Sequence, residues 1–300
     1  MADLIKVTYS GRIATITIDN DKKLNALNVD GYYALSRAMR EVAQRDDVYI
    51  TILTGKGRYF SAGADVSLGA RSQQREAEAA SDPNTDTYRE WLRSFVANNL
   101  ELTRTFYSHP KILVAALNGP AVGLSAAVTA FADFVYAAPG AFLLLPFSSL
   151  GLVAEGGASR ALVQRLGVSL ANEALIMSRR IACDELARVG FVNKVLDPAG
   201  AGAGAGSSAG GSGSGSGSGG GGDYSERFLA LVLREVDDRL GSHLNGESLT
   251  GIKALLRRPE IEVLERQNVA EVFAGLDRFV KGVPQEEFRK IATGEKRHKL

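Results

Sequence analysis

Residues 58–65 read Arg-Tyr-Phe-Ser-Ala-Gly-Ala-Asp, and residues 118–127 read Asn-Gly-Pro-Ala-Val-Gly-Leu-Ser-Ala-Ala. The first follows the β-branched run Tyr49 to Leu53 and its turn, and the second follows the apolar strand pattern of residues 112–117. Each turns on glycine and leads toward a helix, with Asp65 at the start of one and small residues filling the other. Such a strand–turn–helix corner leaves backbone N–H groups unpaired and pointing outward. Two corners brought together aim two donors at one oxygen, the arrangement of an oxyanion hole, which stabilises charge developing on a carbonyl. Taken singly, Gly63 and Gly123 read as ordinary turn glycines; the pair carries the functional reading.

Working outward, Ile13 to Ile18 alternates by twos as a strand, and further strands are predicted at 133–137, 141–145 and 191–196. Helical spacing runs from Val29 to Val42 through Tyr33, Leu35 and Met39. More helices are expected near 88–107, 123–131, 157–166, 170–178 and 183–189. The alternation defines an α/β protein. Residues 199–222 hold 13 of the chain's 33 glycines and no side chain able to build a core, which predicts a flexible tether. Beyond it, apolar positions at 228, 232, 236 and 240, and again from 252 to 279, predict helices. The expected organisation is a core at 1–198, the tether at 199–222 and a helical region at 223–300.

Composition excludes several classes. The 35 basic and 34 acidic residues leave a net charge of +1, which offers no basic excess for nucleic acid. The lone Cys183 and three histidines support neither a disulfide framework nor a His/Cys zinc site, and no metal is expected. The N-terminus lacks the pattern of a signal peptide, and no run approaches the ~18 apolar residues of a membrane span. Neither Gly55-Lys-Gly57 nor the elbow-like Gly206 to Gly210 has the flanking elements that a dinucleotide loop or a serine nucleophile requires.

A third element is Gly151-Leu-Val-Ala-Glu155-Gly156-Gly157, a carboxylate in an apolar, glycine-rich turn ahead of a helix beginning near Ala158. Burial would raise the Glu155 pKa and the helix N-terminus would lower it, a balance the sequence leaves open. Glu155 is a candidate general base, or, read alone, a helix cap.

With these pieces together, the chain resembles the enoyl-CoA hydratase/isomerase (crotonase) superfamily, through F-x-x-G-x-D at Phe60 to Asp65 and N-G-P-A-x-G at Asn118 to Gly123. Asn25-Ala26-Leu27 matches a further family feature. The resemblance implies a spiral of ββα units with a C-terminal helical region that covers the site and builds trimers or dimers of trimers. It also implies that the N–H groups of Ala64 and Leu124 bind the thioester oxygen of an acyl-CoA. No cofactor is then expected, coenzyme A being part of the substrate.

Hydratases of the superfamily use two glutamates, whose places here hold Ala127 and Phe147. The run Pro146 to Gly157 is similar to the peroxisomal Δ3,Δ2-enoyl-CoA isomerases, which implies Glu155 as the single catalytic acid/base in moving a double bond from C3 to C2 during fatty-acid oxidation. Asn99 matches an active-site asparagine of the yeast-type isomerases and would orient the base or a water. A one-residue helical shift to Asn98 turns the side chain by about 100°, and a solvated helix face is the alternative. The rivals are hydration, dienoyl-CoA isomerisation, or a catalytically silent acyl-CoA-binding scaffold. Lys281, Arg289 and Lys290 are basic residues that could meet CoA phosphates. His298-Lys299-Leu300 resembles a peroxisomal address, implying the import receptor as a partner.

Overall fold

A computed structural model of the chain describes residues 4–65, 86–200 and 223–296. The helix expected after Asp65, most of the glycine-rich tether and the terminal His298-Lys299-Leu300 lie outside these residues.

Among the described residues the centre is a six-stranded sheet, β1 (Ile5–Ser10), β2 (Ile13–Ile18), β3 (Ile50–Gly55), β4 (Ile112–Leu117), β6 (Phe134–Ala137) and β9 (Lys194–Val195), hydrogen-bonded in that order. β1 and β2 are antiparallel, and the remaining pairs are parallel. A smaller sheet joins β5 (Ala121–Val122), β7 (Phe142–Leu144) and β8 (Ile181–Ala182). The helices of this part are α1 (Val29–Ala43), α2 (Thr87–Trp91), α3 (Ala97–Tyr107), α4 (Gly123–Val128), α5 (Ala158–Leu166), α6 (Val168–Leu175) and α7 (Cys183–Arg188). Three longer helices follow, α8 (Tyr224–Leu240), α9 (Gly246–Val280) and α10 (Val283–Ala292).

Every residue of β3 and β4 is buried, as expected of parallel strands covered on both faces. Side chains alternate between faces. Leu53, Leu113, Ala115 and Leu117 enter the main core, while Ile50, Ile52, Ile112, Val114 and Ala116 face the other way. That second face is covered by Phe228, Val232, Val236 and Leu240, one stripe of α8 at four-residue spacing. The chain after the tether therefore closes one side of the sheet.

α9 is fastened by ions as well as by apolar packing. Lys253 Nζ lies 2.7 Å from Asp133 Oδ2 and Arg257 Nη2 lies 2.7 Å from Asp133 Oδ1, while Asp133 accepts the Leu113 amide at 2.8 Å. Asn245 caps α9 by accepting from Ser248 N–H at 2.8 Å. Further along, Trp91 stacks on Phe279 with centroids 4.5 Å apart.

Several sequence expectations need correction. β1 was not expected: as an edge strand it keeps most residues exposed or half-exposed, so its sequence lacks a clean apolar alternation. The helix predicted over 88–107 is broken by a π-helical segment at Leu92–Val96, where Ala97 N–H donates to Leu92 O. The strand predicted at 191–196 shrinks to Lys194–Val195, because Phe191 and Val192 turn into the core and donate their amides to Leu186 O. The helix predicted at 170–178 runs instead from Val168 to Leu175, and Ser178 adopts φ 52°, which ends helical continuation.

Candidate active site

Backbone pairing ties the two glycine corners together. Phe60 and Ser61 N–H both donate to Pro120 O, at 3.0 and 3.2 Å, and Val122 N–H donates to Ser61 O at 2.9 Å. Gly63 has φ +83°, and a Cβ placed there would meet Val122 O at 2.7 Å and Gly123 Cα at 3.7 Å. Only glycine combines that backbone conformation with so close an approach. Gly123 has φ +59° and opens α4, which places Leu124 in the first helical turn.

Ala64 is exposed, and neither its amide nor that of Leu124 donates a hydrogen bond to any described residue. Leu124 N–H is one of the first-turn donors for which a helix has no internal partner. Ala64 is steadied on either side: Leu27 N–H donates to Gly63 O and Asp65 N–H to Leu27 O, both at 2.9 Å. The two corners that carry the Ala64 and Leu124 amides thus touch through Gly63.

Glu155 reaches the same place because glycine follows it. A Cβ on Gly156 would lie 2.7 Å from Leu124 Cδ1 and 3.0 Å from Ala127 Cβ, and one on Gly157 would lie 2.5 Å from Phe131 Cζ. The turn therefore presses directly on α4, against the side chains of Leu124 and Ala127. Asn99 Nδ2 donates to Glu155 Oε2 at 2.7 Å, and Thr103 Oγ1 lies 3.5 Å from Asn99 Oδ1. Asn99 is buried, whereas the half-buried Asn98 donates back to Ser94 O at 2.9 Å. The phase of α3 turns Asn99, and not its neighbour, toward the carboxylate.

Glu155 keeps some exposed surface, but its carboxyl group is closely surrounded by protein. Desolvation pushes its pKa up from 4.5 to about 7; the Asn99 hydrogen bond opposes the rise and the Glu271 charge adds to it. A carboxyl poised near neutrality can both accept and return a proton. Ala127 and Phe147 are buried and apolar, so neither place supplies a second acid.

Three features of the site escaped the sequence reading: Tyr32, the Ser125–Ser61 hydroxyl pair and Glu271. Tyr32 Oη lies 3.3 Å from Ser125 Oγ, which lies 2.9 Å from Ser61 Oγ; Ser61 in turn donates to Asn25 O and accepts from Gly63 N–H. This chain of hydroxyls links α1 to both corners. Burial raises the Tyr32 pKa, Ser125 opposes the rise and the Glu155 charge adds to it, so Tyr32 stays neutral beside the carboxylate. The third is Glu271 of α9, whose carboxylate accepts from Gly157 N–H at 2.7 Å and Ser159 N–H at 2.8 Å. The available signal was an acid in phase with the buried stripe of Leu264, Asn268, Val272 and Leu276.

The basic residues considered for CoA phosphates each carry a nearby carboxylate partner: Lys281 with Asp277, Arg289 with Glu286 and Glu295, and Lys290 with Glu287. A cleft of about 850 Å³ lies elsewhere, between His109 and the first half of α9, and shares no residue with the site. No described helix is long and apolar enough to cross a membrane.

The α/β fold, with two glycine corners tied by backbone pairing and a desolvated carboxyl group on a turn packed against α4, is that of a crotonase-type protein. The chain belongs to the enoyl-CoA hydratase/isomerase family, whose sequence pattern matches residues 8–200. It is 60% identical over 301 residues to a protein of Pyricularia oryzae named Delta(3,5)-Delta(2,4)-dienoyl-CoA isomerase, covering 100% of both chains. It is 31% identical to the 3,2-trans-enoyl-CoA isomerase of Saccharomyces cerevisiae, over 98% of this chain and 97% of that one. Its fold matches the crystal structure of an enoyl-CoA hydratase/isomerase from Pseudoalteromonas atlantica, with a TM-score of 0.76 and 21% identity, covering 99% of this chain and 100% of the other.

Proposed function

We propose that the protein is an enoyl-CoA isomerase that converts 3-enoyl-CoA to trans-2-enoyl-CoA in fatty-acid oxidation. The observation that carries this reading is the Glu155 carboxylate, held by Asn99 at 2.7 Å on a turn packed against α4, with apolar residues at Ala127 and Phe147. In the proposed reaction, the thioester oxygen accepts hydrogen bonds from the Ala64 and Leu124 amides. Ionised Glu155 removes a proton from C2, the C–H electron pair forms the C1–C2 double bond, and the carbonyl pair moves onto oxygen. When the carbonyl reforms, the electrons shift to a C2–C3 double bond and C4 takes the proton back from Glu155. Atoms and charge balance with no co-reactant, so the reaction calls for no cofactor beyond the coenzyme A of the substrate.

C2 and C4 are separated by one carbon, so one carboxylate can serve both. Hydration would instead need a positioned water and a proton donor, and the apolar Ala127 and Phe147 supply neither. A second reading, isomerisation of 3,5-dienoyl-CoA to 2,4-dienoyl-CoA, is favoured by the 60% identity to the Pyricularia oryzae protein of that name. It shares the first step but returns the proton at C6, separated from C2 by three carbons. Side-by-side kinetics with 3-enoyl-CoA and 3,5-dienoyl-CoA separate the two. Our reading predicts the higher kcat/KM for the 3-enoyl substrate, and the reverse order would establish the second.

Two further proposals accompany this function. Ile252, Leu255 and Leu256 of α9 are largely exposed, and we assign this apolar stretch to contacts within a homotrimer or dimer of trimers. Sedimentation velocity at graded concentrations should find an oligomer, and a monomer would remove the proposal. A peroxisomal location, with the import receptor as partner, is supported by the mouse relative named Enoyl-CoA delta isomerase 3, peroxisomal, which is 29% identical over 64% of this chain. A fluorescent protein ending in residues 287–300 should enter peroxisomes, and cytosolic residence would count against it.

A further inference from the structure

We infer that Glu271 is a positioning residue for the proton-transfer step: from α9 it grips, through both carboxylate oxygens, the turn that carries Glu155. The inference deepens the proposed function and rests on Glu155 being the base.

A helix start is ordinarily capped by a neighbouring Ser, Thr, Asp or Asn. α5 has no such option, because Gly157 sits at its N-cap with φ +70° and Phe131 fills the space a side chain would need. The cap comes instead from Glu271, which accepts from Gly157 N–H at 2.7 Å, Ser159 N–H at 2.8 Å and the Ser159 hydroxyl. Gln267, one turn earlier on α9, donates to Ser159 Oγ at 2.7 Å.

The same face of α9 also holds the other partner of Glu155. Asn268, three residues before Glu271, donates to Leu100 O at 3.2 Å, next to Asn99 on α3. Helical residues three apart share a face. One helix thus fixes both ends of the Asn99–Glu155 hydrogen bond.

Glu271 is also a buried carboxylate, where a neutral amide would carry a lower desolvation cost but offer only one acceptor oxygen to the two N–H groups. Its negative charge faces Glu155 and disfavours ionisation there. Among the described residues, the other titratable groups near this turn are Tyr32 on α1, Arg160 on α5, paired with Glu260 of α9, and Arg278 on α9, which donates to Gly151 O at 2.8 Å.

The test compares Glu271→Gln and Glu271→Asp with the parent, reading kcat and KM on 3-enoyl-CoA across pH, together with binding of the 2-enoyl-CoA product. Glu271→Gln keeps the shape but replaces one acceptor oxygen by a donor facing an N–H. It should lower kcat about tenfold or more, since small misplacements cost up to ~10² in rate. KM and product binding should stay within a few-fold, and the acid limb of kcat should move to lower pH by up to about one unit. Glu271→Asp keeps the charge with a shorter reach, so its acid limb should remain near the parent's while kcat is intermediate. Thermal destabilisation of both variants with kcat and acid limb unchanged would reduce Glu271 to a helix cap and overturn the inference. Glu155→Gln in the same assay separates the two claims: if it is active, the reading of the base fails, and if it is inactive while Glu271→Gln behaves as the parent, only this inference fails.

Discussion

The side-chain amide of Asn99 donates to Glu155 Oε2 at 2.7 Å, joining a helix of the first half of the chain to the turn that precedes α5. The bond favours the ionised carboxylate and opposes the rise in pKa caused by burial. Asn99→Ala should therefore raise the Glu155 pKa further above about 7. The base works only when ionised, so the acid limb of kcat should move to higher pH, opposite to the shift expected for Glu271→Gln. A hydrogen bond to a charged group contributes about 1.5–3 kcal/mol, equivalent to a shift of about one unit or more. A pH–rate profile with an unmoved limb would mean that Asn99 does not act on the base.

The same carboxylate sets a stability cost. Its folded pKa, about 7, lies above the ordinary 4.5, so the folded state binds the extra proton between those values. Stability is therefore lowest, as far as this group is concerned, above pH 7, and recovers as pH falls toward 4.5. Glu155→Gln should be more stable than the parent by up to about 3 kcal/mol at alkaline pH, with the difference shrinking in acid. Denaturant melts of both proteins across pH measure this, and a difference that does not vary with pH would contradict the desolvated carboxylate.

The closeness of Gly63 to Val122 O gives a separate test of the two corners. In Gly63→Ala the new Cβ would approach that oxygen to 2.7 Å in a backbone conformation with φ +83°, so the loop must shift and take the Ala64 amide with it. Loss of one oxyanion donor typically costs ~10²–10³ in kcat. Isomerase kinetics should show a fall of that order, with circular dichroism unchanged. Near-parental turnover would place the oxygen-binding donors elsewhere.

At the far side of the sheet, Phe228 is fully buried among Ile50, Ile52 and Val114. Phe228→Ala should destabilise the whole protein by about 3–5 kcal/mol. A single cooperative unfolding transition is expected, shifted to lower denaturant, because α8 completes one face of the common sheet. Early, separate loss of the C-terminal helices would show that they form an independent unit.

How much of this was legible in the sequence depended on whether the relevant residues are neighbours in the chain. Phe60 to Asp65, Asn118 to Gly123 and Glu155 to Gly157 each carry their turn chemistry locally, so the corners and the carboxylate could be read directly. Asn99 could be narrowed only to itself or Asn98, because the π-helical segment at Leu92–Val96 sets the phase of α3 and nothing in the local pattern marks it. Glu271 was missed because its partners, Gly157 and Ser159, lie more than a hundred residues away, and an isolated acid on a long helix reads as a solvated face. The hydroxyl chain from Tyr32 through Ser125 to Ser61 was hidden for the same reason. β1 escaped because an edge strand carries little burial pattern to read.

The measurement that bears most directly on the account is the turnover of Glu155→Gln on 3-enoyl-CoA, followed by formation of the conjugated 2-enoyl thioester, with product binding measured on the same preparation. The amide preserves shape and the contact with Asn99 but cannot accept the C2 proton. General acid–base catalysis is typically worth ~10²–10⁴ in rate, and a sole base that removes and returns the proton should stand at the upper end of that range. A loss of that size in kcat is expected, with product affinity retained; turnover within a few-fold of the parent would contradict the role of Glu155 as the base and leave it as a residue of the turn alone.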